Sequence, residues 1–215
     1  MPATRFDAVL FDFGGVFTAS PFEALSNATA GLDVPADVVL RTCFGSYDLD
    51  TDHPWHRLER GEISAQEALA GIAALAGESG YMIDPVAVLT GAMGGPGLIR
   101  EDMIAAVRLA REQGLKTGIV TNNVKEWASQ WRALMPLDEL FDTVVDSSEV
   151  GLRKPNPRIY ELALAELGDV PPERAVYLDD APGNVASARE LGMHAIFVAP
   201  DHTAALAELH ALLAA

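Results

Sequence analysis

The sequence predicts an α/β protein whose parallel sheet is flanked by helices. Three observations carry this. The run Ala8-Val9-Leu10-Phe11 is apolar and short, and it ends in Asp12 before the pair Gly14-Gly15. That is the pattern of a strand buried on both faces, from which the chain turns away sharply. From residue 99 onward, short apolar runs alternate with helix-period segments, as strand–helix–strand units require. Between these parts, residues 20–97 read as helices and loops without a strong strand signal. The expected architecture is therefore one sheet with an inserted α-helical cap. The insert leaves the sheet just after Asp12, at the edge where open α/β sheets bind ligands, and would stand over that edge as a lid.

Each element has its own warrant. Within the insert, helices are expected over 21–30, 35–43, 64–76 and 84–93. The third is announced by Ser64 with Glu67 three residues on, a capping-box spacing. Residues 45–56 are polar and turn-rich, with Asp48, Asp50 and Asp52 alternating. Gly94-Gly95-Pro96-Gly97 reads as a linker. A helix over 101–113 has apolar residues at helical spacing and stops at Gly114. Strands follow at 116–121, 143–146, 175–178 and 195–198. Helices are expected from Asn123 through Leu134, over 155–167 with Pro155 in the first turn, over 185–191 ending at Gly192, and from Asp201 onward.

Composition limits the function. The 215 residues hold 15 Lys and Arg against 31 Asp and Glu, a formal net charge of −16. Such a surface repels phosphate backbones, so neither nucleic acid nor an anionic membrane is expected as a partner. An anionic small substrate needs a locally positive site. Cys43 is the single cysteine, which excludes an intrachain disulfide and a cysteine-rich metal site and fits a reducing, cytoplasmic setting. The N-terminal apolar run carries Asp7 and Asp12, so it reads as neither a signal peptide nor a membrane span.

Four groups of chemically capable residues fall at carboxyl ends of expected strands, and a parallel sheet would gather them. They are Asp12, Thr121-Asn122, Lys154, and Asp179-Asp180 with Asn184. Three carboxylates in one pocket repel one another and call for a cation. Oxygen donors without a Cys or His cluster select a hard ion, and Mg²⁺ suits a site that also takes phosphate. Lys154 and the Thr121 hydroxyl can donate to phosphoryl oxygens. Asp12 can attack phosphorus and form an aspartyl-phosphate that water then hydrolyses.

The order and spacing of these residues resemble the haloacid dehalogenase-like hydrolase superfamily. The carrying motifs are Phe11-Asp12-Phe13-Gly14-Gly15-Val16, Thr121-Asn122, Leu152-Arg153-Lys154-Pro155, and Asp179-Asp180 with Asn184. The resemblance covers nearly the whole chain and is strongest to the branch with a small helical cap, which includes sugar-phosphate phosphatases and epoxide hydrolase N-terminal domains. It implies a Rossmann-like core of residues 1–18 and 98–215 with the cap at 19–97. It also implies Asp12 as nucleophile, Thr121 and Asn122 as phosphate binders and Lys154 as positioning cation. Mg²⁺ would be held by Asp12, the Gly14 carbonyl, Asp179 and above all Asp180. The implied substrate is a small phosphorylated metabolite.

One position departs from the family pattern. Most phosphatases of the family carry a second Asp two residues after the nucleophile, as acid and base; here Gly14 stands there. His53 or His56, in the insert, is the expected substitute proton donor, and a good leaving group would need none. The alternatives are a dehalogenase of small haloacids and a catalytically degenerate binding protein. The Asp179-Asp180 pair argues against the first. The absence of lysine before Lys116 argues against the Schiff-base chemistry of phosphonate-cleaving members.

Overall fold

In the computed structural model, residues 5–20, 29, 33–92 and 98–214 are described. The expected helix at 21–30, apart from residue 29, and the Gly94–Gly97 linker lie outside them. Five strands form one sheet: β1 (Ala8–Phe11), β2 (Lys116–Thr121), β3 (Thr143–Asp146), β4 (Ala175–Asp179) and β5 (His194–Phe197). Their spatial order is β3-β2-β1-β4-β5 and every pairing is parallel. β1 is central, with Phe11 opposite Ile119 on one side and Leu178 on the other.

The helices are α1 (Ala36–Cys43), α2 (Pro54–Glu59), α3 (Ala65–Glu78), α4 (Pro85–Ala92), α5 (Glu101–Glu112), α6 (Ala128–Arg132), α7 (Leu137–Leu140), α8 (Ser147–Val150), α9 (Pro157–Glu166), α10 (Pro182–Leu191) and α11 (Thr203–Leu213). Alternation along β1 explains the layers. Val9 and Phe11 face a cluster with Met103, Val107 and Ala110 of α5 and Leu209 of α11. Ala8 and Leu10 face the opposite cluster, with Ile159 and Ala163 of α9 and Val185 and Ala188 of α10. Both faces are covered, so the strand is apolar without alternation. Each buried Val, Leu or Phe contributes about 1.5–3 kcal/mol, and β1 is entirely buried.

The chain departs after Phe17 and is back beside it at Arg100, whose N–H donates to the Phe17 carbonyl at 2.8 Å. Between them α1 to α4 build a third cluster around Val39, Trp55, Leu58, Ile72 and Val88, which closes on Val124 just beyond β2. The Ser64–Glu67 capping box is formed in full, a stabilisation of about 1 kcal/mol. Residues 45–56 are not loop throughout. His53 caps α2 by accepting from the Trp55 N–H, and Pro54 occupies the first turn, where its missing N–H costs nothing. α10 likewise begins at Pro182, three residues before the apolar period suggests. Among the described residues no helix is long and apolar enough to cross a membrane.

Candidate active site

The carboxyl ends of β1 and β4 meet at one point. Asp12 follows β1 and donates its N–H to the Leu178 carbonyl at 2.8 Å, which ties it to the tip of β4. Asp179 ends β4 and Asp180 follows it. Asp12, Asp179 and Asp180 are buried, and each offers an oxygen within 4.8 Å of the others. Lys154, itself buried, places Nζ 2.8 Å from Asp12 Oδ1 and 2.8 Å from Asp179 Oδ2. Two of the three carboxylates thus pair with one ammonium.

The two acidic neighbours do different work. Asp179 is saturated: Oδ1 accepts from Ala181 N–H at 2.7 Å and Oδ2 from Lys154, while Asn184 Nδ2 reaches both oxygens at 3.1 Å. The Tyr177 hydroxyl also donates to Oδ2. Asp180 accepts from Ser20 Oγ at 2.5 Å. Gly15, at φ +70°, passes so close that a Cβ there would lie 2.0 Å from Asp180 Oδ2. Only glycine allows this approach.

Crowding perturbs these acids. Burial pushes Asp12 up to about 8; Lys154 opposes the rise, and Asp179 and Asp180 add to it. Burial, then Asp179, raises Asp180 to about 7 against Ser20 and Lys154. Burial works against the Lys154 ammonium, yet Asp12 and Asp179 hold its pKa above the ordinary value. The cluster is short of positive charge. Its donors are all oxygens, which fits a hard divalent cation.

Thr121 ends β2, buried, beside Asp146 in register. The Asn122 amide is spent on the Lys154 backbone: it donates to the Lys154 carbonyl at 3.0 Å and accepts its N–H at 2.8 Å. Its side chain is thus a clamp on the lysine loop. Asp146 stays out of the cluster because Oδ1 caps α8 through the Ser148 N–H at 3.0 Å. Gly14 does not share the positive φ of Gly15.

Both candidate histidines are employed inside the insert. His53 Nδ1 accepts from Trp55 N–H at 3.1 Å, and Nε2 meets the Thr42 carbonyl at 3.2 Å. His56 is fully buried, and Nδ1 accepts the Thr51 N–H at 3.0 Å. Burial lowers the His53 pKa. Burial, with Arg153 and His53 adding, drives His56 down to about 3. Burial thus works against the charged form of both rings. Sequence reasoning missed Ser20 and Tyr177. Tyr177 was within reach of it, since a residue two before Asp179 on a strand shares its face.

A parallel sheet with this strand order and an acid cluster at its carboxyl edge defines a hydrolase of the haloacid dehalogenase-like kind. The chain belongs to that family, whose model matches residues 6–192. It is 33% identical over 209 residues to acyl-CoA dehydrogenase family member 10 of Mus musculus, covering 96% of this chain but only 19% of that protein. It is 28% identical over 213 residues to the sesquiterpene phosphatase astK of Aspergillus oryzae, covering 98% of each. A HAD family enzyme of Bacteroides thetaiotaomicron, solved with magnesium and inorganic phosphate, shares the fold with a TM-score of 0.61 at 18% identity, over 91% of this chain and 96% of that one.

Proposed function

We propose that this chain hydrolyses a small phosphomonoester through an aspartyl-phosphate on Asp12, with residues 19–97 acting as the cap over the site. The observation that carries the reading is the buried triad of carboxylates around a single ammonium. The phosphatase among its relatives and the magnesium and phosphate in its structural neighbour support it. Asp12, Asp180 and the Gly14 carbonyl would hold Mg²⁺, and Asp179 would orient the site from behind. The ion supplies charge neutralisation for a dianionic substrate against the acids.

The chain's own residues do the rest. Lys154 and the Thr121 hydroxyl hold phosphoryl oxygens. The free Asp12 oxygen attacks phosphorus, and the bond to the ester oxygen breaks with its electron pair on the leaving group. Water then attacks the same phosphorus and Asp12 departs as carboxylate. Gly14 offers no acid, and His53 Nε2 and His56 Nδ1 are bonded within the insert. Turnover should therefore depend steeply on how well the leaving group bears charge.

Hydrolysis of p-nitrophenyl phosphate and a panel of metabolite phosphates, with Mg²⁺ and with chelator, tests the reading. Activity that chelation abolishes supports it. Halide release from haloacids without a metal requirement would replace it with the dehalogenase reading, and inactivity on both panels with the degenerate one.

A further inference from the structure

A second buried charge cluster lies where the insert meets the sheet. Arg153, immediately before Lys154, is one of the largest fully buried side chains. Its Nε donates to Glu59 Oε2 at 2.8 Å, although the two are far apart in the chain. Nη1 donates to the Leu49 carbonyl at 3.2 Å and lies 3.9 Å from Asp50. Asp50 in turn accepts from Arg60, and from Asn156 Nδ2 at 3.4 Å. Glu59, the last residue of α2, has a second connection. Its carbonyl accepts from Ser147 Oγ at 2.6 Å, and that same oxygen accepts the Asn123 N–H at 3.0 Å. Asn123 adjoins Asn122, the clamp on Lys154. One residue of the insert thus reaches both loops that carry the anion-holding groups: by its carboxylate the Arg153-Lys154 loop, by its carbonyl the Thr121-Asn122-Asn123 loop.

We propose that Glu59 and Arg153 are positioning residues that couple the seating of the insert to the placement of Lys154 and Thr121, so that the anion site is fully assembled only when the insert is docked. This rests on the phosphatase reading. Neither residue has a contact with Asp12, Asp179 or Asp180 among those described, and the guanidinium is buried against Glu59 and the Leu49 carbonyl rather than open to substrate. A buried pair is weak support for stability by itself, but removing one partner strands the other. Stability and positioning therefore separate in a double replacement.

The test compares Arg153→Met, Glu59→Gln and the double variant by thermal midpoint, by p-nitrophenyl phosphate kinetics with Mg²⁺, and by amide hydrogen exchange of peptides spanning Asn122-Asn123 and Lys154. Each single variant should lose thermal stability. The double variant should regain most of it, yet keep a kcat lowered by about tenfold or more and faster exchange in both loops. Arg153→Lys keeps the charge but cannot serve Glu59 and Leu49 together; it should fold and show the same loss of kcat. Recovery of kcat and exchange along with the thermal midpoint in the double variant, or an unimpaired Arg153→Lys enzyme, would overturn the proposal. A folded wild type inactive on every phosphate would sink the phosphatase reading instead, and the exchange arm would still decide the coupling.

Discussion

Two clusters of buried charge among the described residues are balanced differently. At the sheet edge, among the described residues, Lys154 is the one cation paired with the three acids, through Asp12 and Asp179. At the seam with the insert, Arg153 and Arg60 face Glu59, Asp50 and Glu62, and the last of these is well exposed. The seam is compensated from within the protein, while the sheet edge is not. Buried charge that the chain leaves uncompensated is costly, and the raised proton affinity of Asp12 and Asp180 is the mark of that cost. The comparison teaches that a deficit of cation in a buried acid cluster points to a ligand, and a matched cluster to architecture.

The largest effect that would sharpen this contrast is Asp12→Asn. It should lower p-nitrophenyl phosphate turnover by about 10³-fold or more without unfolding the protein, as circular dichroism would verify. Next is a pair of opposite stability changes. Glu59→Gln strands Arg153 and should cost about 3 kcal/mol, a fall in Tm of about 6–12 °C at this chain length. Asp180→Asn relieves repulsion and should leave the metal-free Tm unchanged or higher, while abolishing the rise that Mg²⁺ produces. A fall of similar size in both variants would erase the distinction between the clusters.

A smaller effect concerns pH. Folded Asp12 and Asp180 hold protons to about 8 and about 7, well above their ordinary 3.8. The folded state therefore binds more protons than the unfolded chain between those values. The contribution of these groups to stability is largest below pH 3.8 and falls as pH rises through that window. A metal competes with the same protons, so thermal stabilisation by Mg²⁺ should grow from about pH 5 to about pH 8. Scanning fluorimetry at several pH values checks this; a pH-independent Mg²⁺ shift would contradict it. The smallest effect is Gly14→Asp, at a backbone position without positive φ. It should raise kcat for alkyl phosphates by about tenfold or more and leave p-nitrophenyl phosphate little changed, flattening the dependence on the leaving group.

The core was legible because its signals are local. β2 and β3 run as the apolar stretches suggest, β4 is one residue longer, β5 lies one residue earlier at both ends, and Gly192 stops α10 where a left-handed cap is needed. The convergence of Asp12, Asp179 and Asp180 follows from parallel topology once those strand ends are known, whereas Lys154, expected at a strand end, lies beyond α8 because β3 ends at Asp146. What stayed hidden depends on long-range partners. The Glu59–Arg153 contact leaves no trace in spacing. The surroundings of the histidines stayed hidden for a related reason. Polar neighbours in residues 45–56 suggest a loop reaching for substrate, whereas Pro54 and the His53 cap start a helix that draws His56 into the interior. Arg41, by contrast, is exposed and pairs with Asp37 one turn away, as a helical arginine ordinarily does.

The most direct test of the central claim is a crystal structure grown with Mg²⁺ and beryllium fluoride, a mimic of the bound phosphoryl group. The account predicts the fluoride on a carboxylate oxygen of Asp12, a cation shared by Asp12 and Asp180, and Lys154 and the Thr121 hydroxyl on the fluorines. A metal and fluoride bound away from Asp12, or a triad that stays empty of both at saturating concentrations, would contradict it.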